Sequence, residues 1–185
     1  GLSPLRNGLG GASQGTAPSL RVVSLNCAGQ AKAAEEVGAL KPDIVLLQES
    51  PSSNHVARLC QEWFGPEGAL FFGMDCSIIT RGRLKIMASP RSFRFNWVQV
   101  TPATGLVMDV VSVRLFPPET RFDLWSPECW RQHTQGRQIR RAQLQELTRL
   151  LQPIAGHRPM IVGGDFNAPA GDAIYRLLRG ILKDS

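Results

Sequence analysis

Cysteine and histidine are scarce in this chain of 185 residues, and it has no long apolar run. The cysteines show neither metal-ligand spacing nor a dense disulfide framework, which excludes a module held together by zinc or disulfides. No stretch approaches the ~18 apolar residues of a membrane-spanning helix, so we expect a soluble domain without a transmembrane span. The four cysteines are Cys27, Cys60, Cys76 and Cys129.

Lysine is also scarce, so arginine carries almost all of the net charge of +6. Arginine favours planar contacts with phosphate, and a basic balance is compatible with nucleic acid or anionic head groups. The charge alone does not separate a nuclease from a lipid or small-molecule phosphatase. A solvated helix face is the simpler explanation for the largest arginine cluster, which consists of Arg131, Arg137, Arg140, Arg141 and Arg149.

The composition divides the chain into an arm and one domain. Residues 1–19 are rich in Gly, Ser, Ala and Pro, which predicts a flexible N-terminal arm. Residues 20–185 suit a single domain with a sizeable core. Because the chain begins with Gly1 rather than Met, we expect processing or excision from a longer chain. The cellular location, and any tether through an upstream segment, therefore stay open.

Short β-rich segments alternate with a few helical ones. Apolar spacing and cap signals predict helices over residues 30–40, 53–64, 138–151 and 170–179. β-rich runs predict strands over residues 21–26, 43–48, 69–72, 77–80, 84–88, 93–100, 106–115 and 159–162.

The most informative stretch follows the last predicted strand. The apolar run 159–162 ends in Gly163 and Gly164, and then come Asp165 and Asn167. While the chain stays extended, side chains two residues apart project from the same face. A carboxylate and an amide placed in this way can orient a water and a phosphate oxygen, although an Asx-rich turn is the commoner use of such residues.

Two earlier strands end in a similar manner. The run 21–26 ends at Asn26, and the run 43–48 is followed directly by Glu49. Ligands of sheet-based folds gather where strands end, so we expect the three ends to converge on one site. A carboxylate after buried aliphatic residues is costly unless it is paired or metal-bound. Taken alone, however, Glu49 is better explained as a surface carboxylate.

In this order the three strand ends resemble the motifs of the endonuclease/exonuclease/phosphatase superfamily, whose fold is that of pancreatic deoxyribonuclease. The Leu-Asn pair ending at Asn26 is similar to its first motif, and the Gln-Glu pair ending at Glu49 is similar to its second. The run Gly-Asp-Phe-Asn at 164–167 is similar to its third motif and is the most specific of the three. The resemblance extends over about residues 20–185.

The resemblance implies a role for each of these residues. Glu49 would bind a divalent metal, Mg²⁺ or Mn²⁺, and Asn26 would lie near the scissile phosphate. Asp165 would position or activate the attacking water, and Asn167 would support the phosphate. The implied activity is that of a divalent-metal-dependent phosphoester hydrolase, either a nuclease or a phosphodiesterase or phosphatase, that acts by in-line attack of water.

Two departures from the family pattern limit this prediction. Family members usually carry a histidine at the end of a central strand, where the run 109–115 has Arg114. Arginine can hold a substrate phosphate but cannot shuttle a proton at neutral pH. Family members also end in a Ser-Asp-His element, and this chain stops at Ser185 without one. The histidines present lie in other contexts and are expected at the surface: His55, His133 and His157.

The implied fold is α+β, a four-layer αββα sandwich of two facing sheets that normally continues with further strands. Without them a sheet edge and part of the core would be open, which is a liability. We therefore expect the 185 residues to be a C-terminally incomplete domain with feeble activity in this form, and a monomer. The alternative is a non-catalytic binding module that keeps the fold without the terminal histidine. DNA, RNA, inositol phosphate and lipid all remain candidate substrates.

One further segment, residues 116–136, is predicted to be a long loop, and such loops are often functional. It contains Trp125 and Trp130 together with Arg121 and Arg131. Aromatic and arginine side chains together can stack bases or cover a lipid head group. The alternative is that both tryptophans cap the core, since tryptophan is mostly buried on average.

Overall fold

The computed structural model describes residues 19–90, 94–118, 123 and 125–182. Residues 1–18 of the predicted arm lie outside these ranges. The strands are β1 (Val22–Asn26), β2 (Ile44–Gln48), β3 (Gly68–Phe72), β4 (Cys76–Arg81), β5 (Arg83–Ala88), β6 (Phe95–Thr101), β7 (Met108–Arg114) and β8 (Met160–Asp165). The α-helices are α1 (Ala31–Glu36), α2 (Ser53–Phe64) and α3 (Pro127–Leu151). Within the described ranges, no helix is both long and apolar enough to cross a membrane.

The strands form two mixed sheets of four. The first has the order β1-β2-β4-β3 and the second the order β5-β6-β7-β8. β1 pairs with β2, and β7 with β8, in parallel, whereas the other neighbours are antiparallel. Each parallel pair is therefore joined by a crossover that contains a helix, as parallel strands require.

Three apolar clusters hold four layers together. Because side chains alternate along a strand, β2 faces α1 and α2 with Val45 and Leu47 and faces the second sheet with Ile44 and Leu46. The outer side of the second sheet packs against α3 in a third cluster that includes Leu144. The predicted α+β sandwich with αββα layers is thus confirmed.

The register places the chemistry at one end of the sandwich. Asn26 pairs with Gln48 across the parallel strands β1 and β2, and Arg114 pairs with Asp165 across β7 and β8. The carboxyl ends of these four strands therefore lie at the same level within each sheet. The antiparallel strand β4 begins at this level, where Cys76 lies opposite Gln48.

A buried amide links the two sheets close to this end. The Gln48 side chain is 1% exposed. Its Nε2 donates to Ser112 Oγ on β7 at 3.2 Å, and its Oε1 accepts from Ser24 Oγ on β1 at 3.3 Å. Buried polar groups that find partners fix one arrangement of the surrounding elements. Gln48 therefore holds the sheets in register where the predicted site residues emerge.

Two predicted helices are shorter or tighter than expected. The helix predicted over 30–40 is α-helical only for Ala31–Glu36 and continues as a 3₁₀ turn, Val37–Leu40. The helix predicted over 170–179 is the 3₁₀ helix Ala173–Leu177, which begins where Asp172 accepts a hydrogen bond from the Ile174 N–H.

The prediction that residues 116–136 form one long loop is wrong. α3 begins at Pro127, so Trp130 and His133 lie on a helix. The signal was present in the sequence, because proline is favoured in the first helical turn and Glu128 suits the positive end of the helix dipole. Trp125 and Trp130 are 86% and 57% exposed, so the alternative in which both cap the core is also wrong.

Gly164 allows β8 to approach β7 closely beside the third motif. Its φ is +142°, a conformation that other residues rarely adopt. A Cβ at this position would overlap the carbonyl oxygen of Val113 in the backbone of β7. A β7 backbone held in the middle of a sheet cannot move aside, so the glycine before Asp165 is a structural requirement.

We expect Gly164→Ala to lower the free energy of unfolding by at least about 2 kcal/mol, because it adds both backbone strain and overlap. Urea denaturation measures the change. Gly171→Ala is the matched control, since a Cβ there meets no atom within 4 Å. Equal stability of the two variants would contradict this explanation of Gly164.

Candidate active site

Asn26 connects carboxylates from the two sheets. Its Nδ2 donates to Glu49 Oε1 at 3.0 Å and to Asp165 Oδ2 at 2.9 Å. Its Oδ1 accepts from the backbone N–H of Ala28 at 2.9 Å, which fixes the orientation of the amide. The expected convergence of the three strand ends is therefore present: two carboxylates lie within hydrogen-bonding distance of one nitrogen.

Glu49 is held in a strained backbone conformation, with φ of +45°. Its N–H donates to the carbonyl of Asp75, and its carbonyl accepts from the Gly29 N–H, both at 2.8 Å. Asn167, on the other sheet, also has a positive φ of +50°. Such residues cost about 1–3 kcal/mol each and persist only where the surroundings enforce them, as at functional sites.

The pKa of Glu49 lies below its ordinary value. The main cause is the hydrogen bond from Asn26, and the positive charge of Arg114 adds to it against the opposing effect of burial. The carboxylate therefore stays ionised at neutral pH and loses its charge only as pH falls through the lowered pKa. The ionised carboxylate at this position can therefore bind a cation.

Asp165 and Asn167 form an Asx turn and take part in the site as well. Asp165 Oδ1 accepts from the Asn167 N–H at 3.0 Å, while its Oδ2 faces Asn26. Asn167 Nδ2 donates to the carbonyl of Leu115 at 2.8 Å. One amide proton of Asn167 is thus committed to the backbone beyond β7, which leaves the other for a ligand.

Arg114 lies between two carboxylates. Its Nη2 donates to Glu49 Oε1 at 2.9 Å, and its Nη1 lies 3.3 Å from Asp75 Oδ1. The side chain is 14% exposed, and among the described residues its Nε has no hydrogen-bond partner. The sequence prediction placed Arg114 on a substrate phosphate; here the same guanidinium neutralises the acidic residues of the site.

Asp75 is a site residue that the sequence analysis missed. It precedes β4 and pairs with Arg94 at 3.5 Å as well as with Arg114. The only sequence signal was an acid before an antiparallel strand. Its proximity to Arg114 depends on the sheet order β1-β2-β4, which the sequence does not reveal.

The donor set fits a hard divalent cation. In the described part of the chain, no three His, Cys, Asp or Glu side chains gather as a metal cluster. Mg²⁺, however, is usually held by one or two carboxylates with water and substrate oxygens completing its shell. Glu49, whose side chain is 36% exposed, supplies such a carboxylate, and Asp165 approaches the same Asn26 nitrogen beside it. These residues fit Mg²⁺ or Mn²⁺ and not zinc, which prefers four nitrogen and sulfur ligands.

The two cysteines beside the site are packing residues. Burial raises the pKa of Cys27 to about 11 and that of Cys76 to about 12, with nearby acidic groups adding to it. Both thiols are therefore neutral at physiological pH and pack as small apolar groups.

The histidines lie on elements other than the strand ends that build the site. His55, on α2, lies 3.5 Å from Glu35. His133 is part of α3, and His157 is exposed in a turn before β8.

Comparison with known proteins identifies the family. Residues 23–185 match the model of the Endonuclease/Exonuclease/phosphatase family. The chain belongs to this family, and the resemblance predicted from three motifs is confirmed. No curated protein matches the sequence.

Solved structures share the fold at low sequence identity. A humanized zebrafish (D. rerio) TDP2 is 22% identical, with a TM-score of 0.59 over 85% of this chain and 65% of that one. A truncated Caenorhabditis elegans TDP2 is 15% identical, with a TM-score of 0.56 over 82% and 63%. ANGEL2, described as a 2',3'-cyclic phosphatase, is 14% identical, with a TM-score of 0.51 over 79% and 45%. The chain thus spans just under two thirds of these TDP2 chains.

We expect Arg114→Met to bind Mn²⁺ at least about fivefold more tightly than the unmodified chain. The guanidinium occupies a Glu49 oxygen and repels a cation, and even in bulk water two unit charges about 4 Å apart interact by about 1 kcal/mol. Isothermal titration calorimetry measures the affinity.

Two variants bracket this measurement. Arg94→Met removes a charge that contacts Asp75 but not Glu49, and we expect a much smaller gain. Glu49→Gln should weaken Mn²⁺ binding. If Arg114→Met is folded in a thermal melt but binds Mn²⁺ with unchanged affinity, Arg114 does not compete with the metal for Glu49.

Proposed function

We propose that this chain is a divalent-metal-dependent phosphoester hydrolase that works by in-line attack of water. The observation that carries the proposal is the pair of carboxylates, Glu49 and Asp165, joined by Asn26 at the convergent ends of two sheets. Membership of the Endonuclease/Exonuclease/phosphatase family supports the reaction class. A fold alone would not, because one fold serves many functions.

Glu49 is the residue that holds the metal, Mg²⁺ or Mn²⁺. Its lowered pKa and its exposed oxygen support this assignment. When bound, the ion polarises a phosphoryl oxygen and stabilises the leaving oxygen.

Asp165 orients the attacking water. Its Oδ1 is committed to the turn at Asn167 and its Oδ2 points towards Asn26, so the carboxylate has a fixed direction. A fixed acceptor holds a water for in-line attack better than a rotating one, because the reaction needs near-attack geometry.

The amides and the arginine stabilise the phosphate. Asn167, held by the carbonyl of Leu115, has a second amide proton for a phosphate oxygen. Both amide protons of Asn26 contact Glu49 and Asp165, so Asn26 would turn one of them to the phosphate once Glu49 holds the metal. Arg114 supplies positive charge against the charge that develops in the transition state. Its second carboxylate partner, Asp75, keeps the guanidinium at the site when Glu49 engages another cation.

The second candidate is a binding module that keeps the fold without turnover. It is favoured by one observation: Arg114, which cannot shuttle a proton, stands where the family resemblance implies histidine and pairs directly with Glu49. In either case we propose one domain over residues 20–185 after an arm over residues 1–19, acting as a monomer.

Nucleic acid is a candidate substrate in this proposal. A zebrafish TDP2 of the same fold, 22% identical with a TM-score of 0.54, was solved in complex with a single strand DNA product. ANGEL2 was solved in complex with adenosine-2',3'-vanadate. The two complexes support the proposal that the phosphate bound near Asp165 and Asn26 is carried on a nucleoside.

We expect Asp165→Asn to lower the rate of hydrolysis of bis-p-nitrophenyl phosphate in Mn²⁺ by about 10²–10⁴-fold, the usual contribution of a group that activates water. Metal affinity should change far less, since Asp165 acts on the water. Release of p-nitrophenol and calorimetry with Mn²⁺ measure the two quantities.

Asp43→Asn is the matched control, because it makes the same chemical change before β2, at the opposite end of that strand from Glu49. It should retain full activity. Absence of metal-dependent hydrolysis across nucleic acid, inositol phosphate and lipid substrates would favour the binding module instead.

A further inference from the structure

A second concave surface has no role in the function proposed so far. One side of α3 and the 3₁₀ helix Ala173–Leu177 enclose a groove of about 440 Å³. Towards the start of α3 it adjoins a shallower depression of about 570 Å³, and Thr134 and Gln138 border both. We call this combined surface the α3 groove.

The α3 groove is strongly basic. Asp172 is its one acidic residue among those described, and Asp172 already caps the 3₁₀ helix. Clustered guanidinium groups create a local field that concentrates anions, and their planar donors match phosphate oxygens. The groove is lined by five arginines: Arg131, Arg137, Arg140, Arg141 and Arg176.

Two of these arginines differ from the ion-paired arginines of α3. Arg149, outside the groove, pairs with Glu146 at 2.6 Å, and Arg131, at the shallower end of the groove, pairs with Glu128. By contrast, within the described ranges Arg137 and Arg141 form no ion pair, and they are four residues apart. Like charges at this spacing destabilise a helix. A solvated basic face explains the paired residues, but it does not explain two adjacent uncompensated ones.

An exposed tryptophan continues the same side of the helix. Trp130, Thr134, Arg137 and Arg141 follow the spacing i, i+4, i+7 and i+11, which places them on one stripe. Trp130 is 57% exposed and borders the shallower depression. An aromatic ring in line with arginines suits a single strand of nucleic acid, whose unpaired bases stack while its phosphates meet the cations.

The groove lies beside the candidate active site. Arg140 Nη1 lies 3.3 Å from the carbonyl of Phe116, and Gln143 Oε1 accepts from the Phe116 N–H. Phe116 follows closely on the site end of β7, whereas later residues of α3 pack along the sheet. The first part of α3 therefore extends past the strand ends, and Trp130 lies about 15 Å along the axis from Arg140.

The other wall of the groove is tied to the third motif. Tyr175, on the 3₁₀ helix, donates to the carbonyl of Ala168 at 3.0 Å, and its ring packs edge-on against Phe166. Asn167 and Asp172 are five residues apart, so the site and the groove are separated by at most about 18 Å of chain. A single strand can span both.

We propose that the α3 groove binds a single strand of nucleic acid, with a base against Trp130 and phosphates against Arg137, Arg141 and Arg176. This rests on the proposed function in one respect: the bound strand is taken to be the substrate whose phosphoester is cleaved. A concave groove with one aromatic residue on its border suits a strand better than a membrane surface, which is bound by a broad apolar face.

The test is fluorescence anisotropy with a labelled oligodeoxythymidylate in EDTA, where metal-dependent cleavage cannot occur. The salt dependence of affinity reports the number of phosphate contacts, with a slope of about −0.7 per contact for single strands. We expect Arg141→Gln to reduce this slope by about 0.7 and Trp130→Ala to weaken binding about fivefold or more.

Each variant has a matched control. Arg149→Gln removes one exposed charge from the same helix outside the groove, and Trp125→Ala removes an exposed tryptophan that does not line it. Both should bind as the unmodified chain does, and Trp130→Phe should recover most of the affinity lost in Trp130→Ala. If Arg141→Gln and Arg149→Gln have the same slope, the groove proposal is overturned.

Two further arms separate the possible failures. Binding to anionic phospholipid vesicles that depends on Arg141 and Trp130, without such dependence for the oligonucleotide, would overturn the proposal in favour of a lipid surface. If the chain cleaves the oligonucleotide in Mn²⁺ and the groove variants do not alter the rate, the groove proposal is overturned but the proposed function stands. Binding at the groove without any turnover would support the groove and count against the hydrolase.

Discussion

Two carboxylates lie close together at one end of the sandwich, and the surrounding structure has to compensate their mutual repulsion. Glu49 comes from the first sheet and Asp165 from the second, and both approach the nitrogen of Asn26. Two carboxylates this close repel each other unless donors and cations compensate them. Asn26 supplies the shared donor, and Arg114, placed by the register opposite Asp165, supplies the charge. Without these groups, the two sheet ends would carry uncompensated charge.

Backbone geometry supports this arrangement on both sheets. Glu49 and Asn167 adopt positive φ directly beyond their strands, and Gly164 lets β8 lie against β7. Beneath them, the buried Gln48 amide bonds to Ser112 across the two sheets and is held by Ser24 within its own sheet. The site is therefore preorganised: Glu49 and Asp165 are oriented by backbone groups and by the Asn26 amide, as the proposed phosphoryl chemistry by positioning and electrostatics requires.

The sequence predicted the parts of the site that depend on local pattern. Asn26, Glu49 and Asp165 follow apolar strands, and strand ends of this kind can be recognised without knowing the sheet order. Asp75 was missed because its contact with Arg114 arises from an antiparallel neighbour that local pattern does not specify. The start of α3 was missed because Pro127 was not recognised as a residue of the first helical turn, where proline is favoured.

The difference between local pattern and long-range packing also explains which basic residues could be interpreted from the sequence. Composition indicated an affinity for phosphate but could not separate paired from unpaired arginines, since pairing depends on which side chains meet in space. Arg149 has a partner three residues away on its own helix, whereas Arg141 and Arg176 come together only because two distant segments pack side by side. Long-range packing therefore gives the basic helix two different surfaces: one with the ion-paired Arg149 and one that lines the α3 groove.

The central claim is that Glu49 binds a divalent cation beside Asp165, where the ends of the two sheets converge. Anomalous diffraction from crystals soaked in Mn²⁺ tests it most directly. The account predicts an anomalous peak in contact with the Glu49 carboxylate and beside Asp165, with Arg114 displaced from Glu49 Oε1. No peak at saturating Mn²⁺, or a peak remote from both carboxylates, would contradict it.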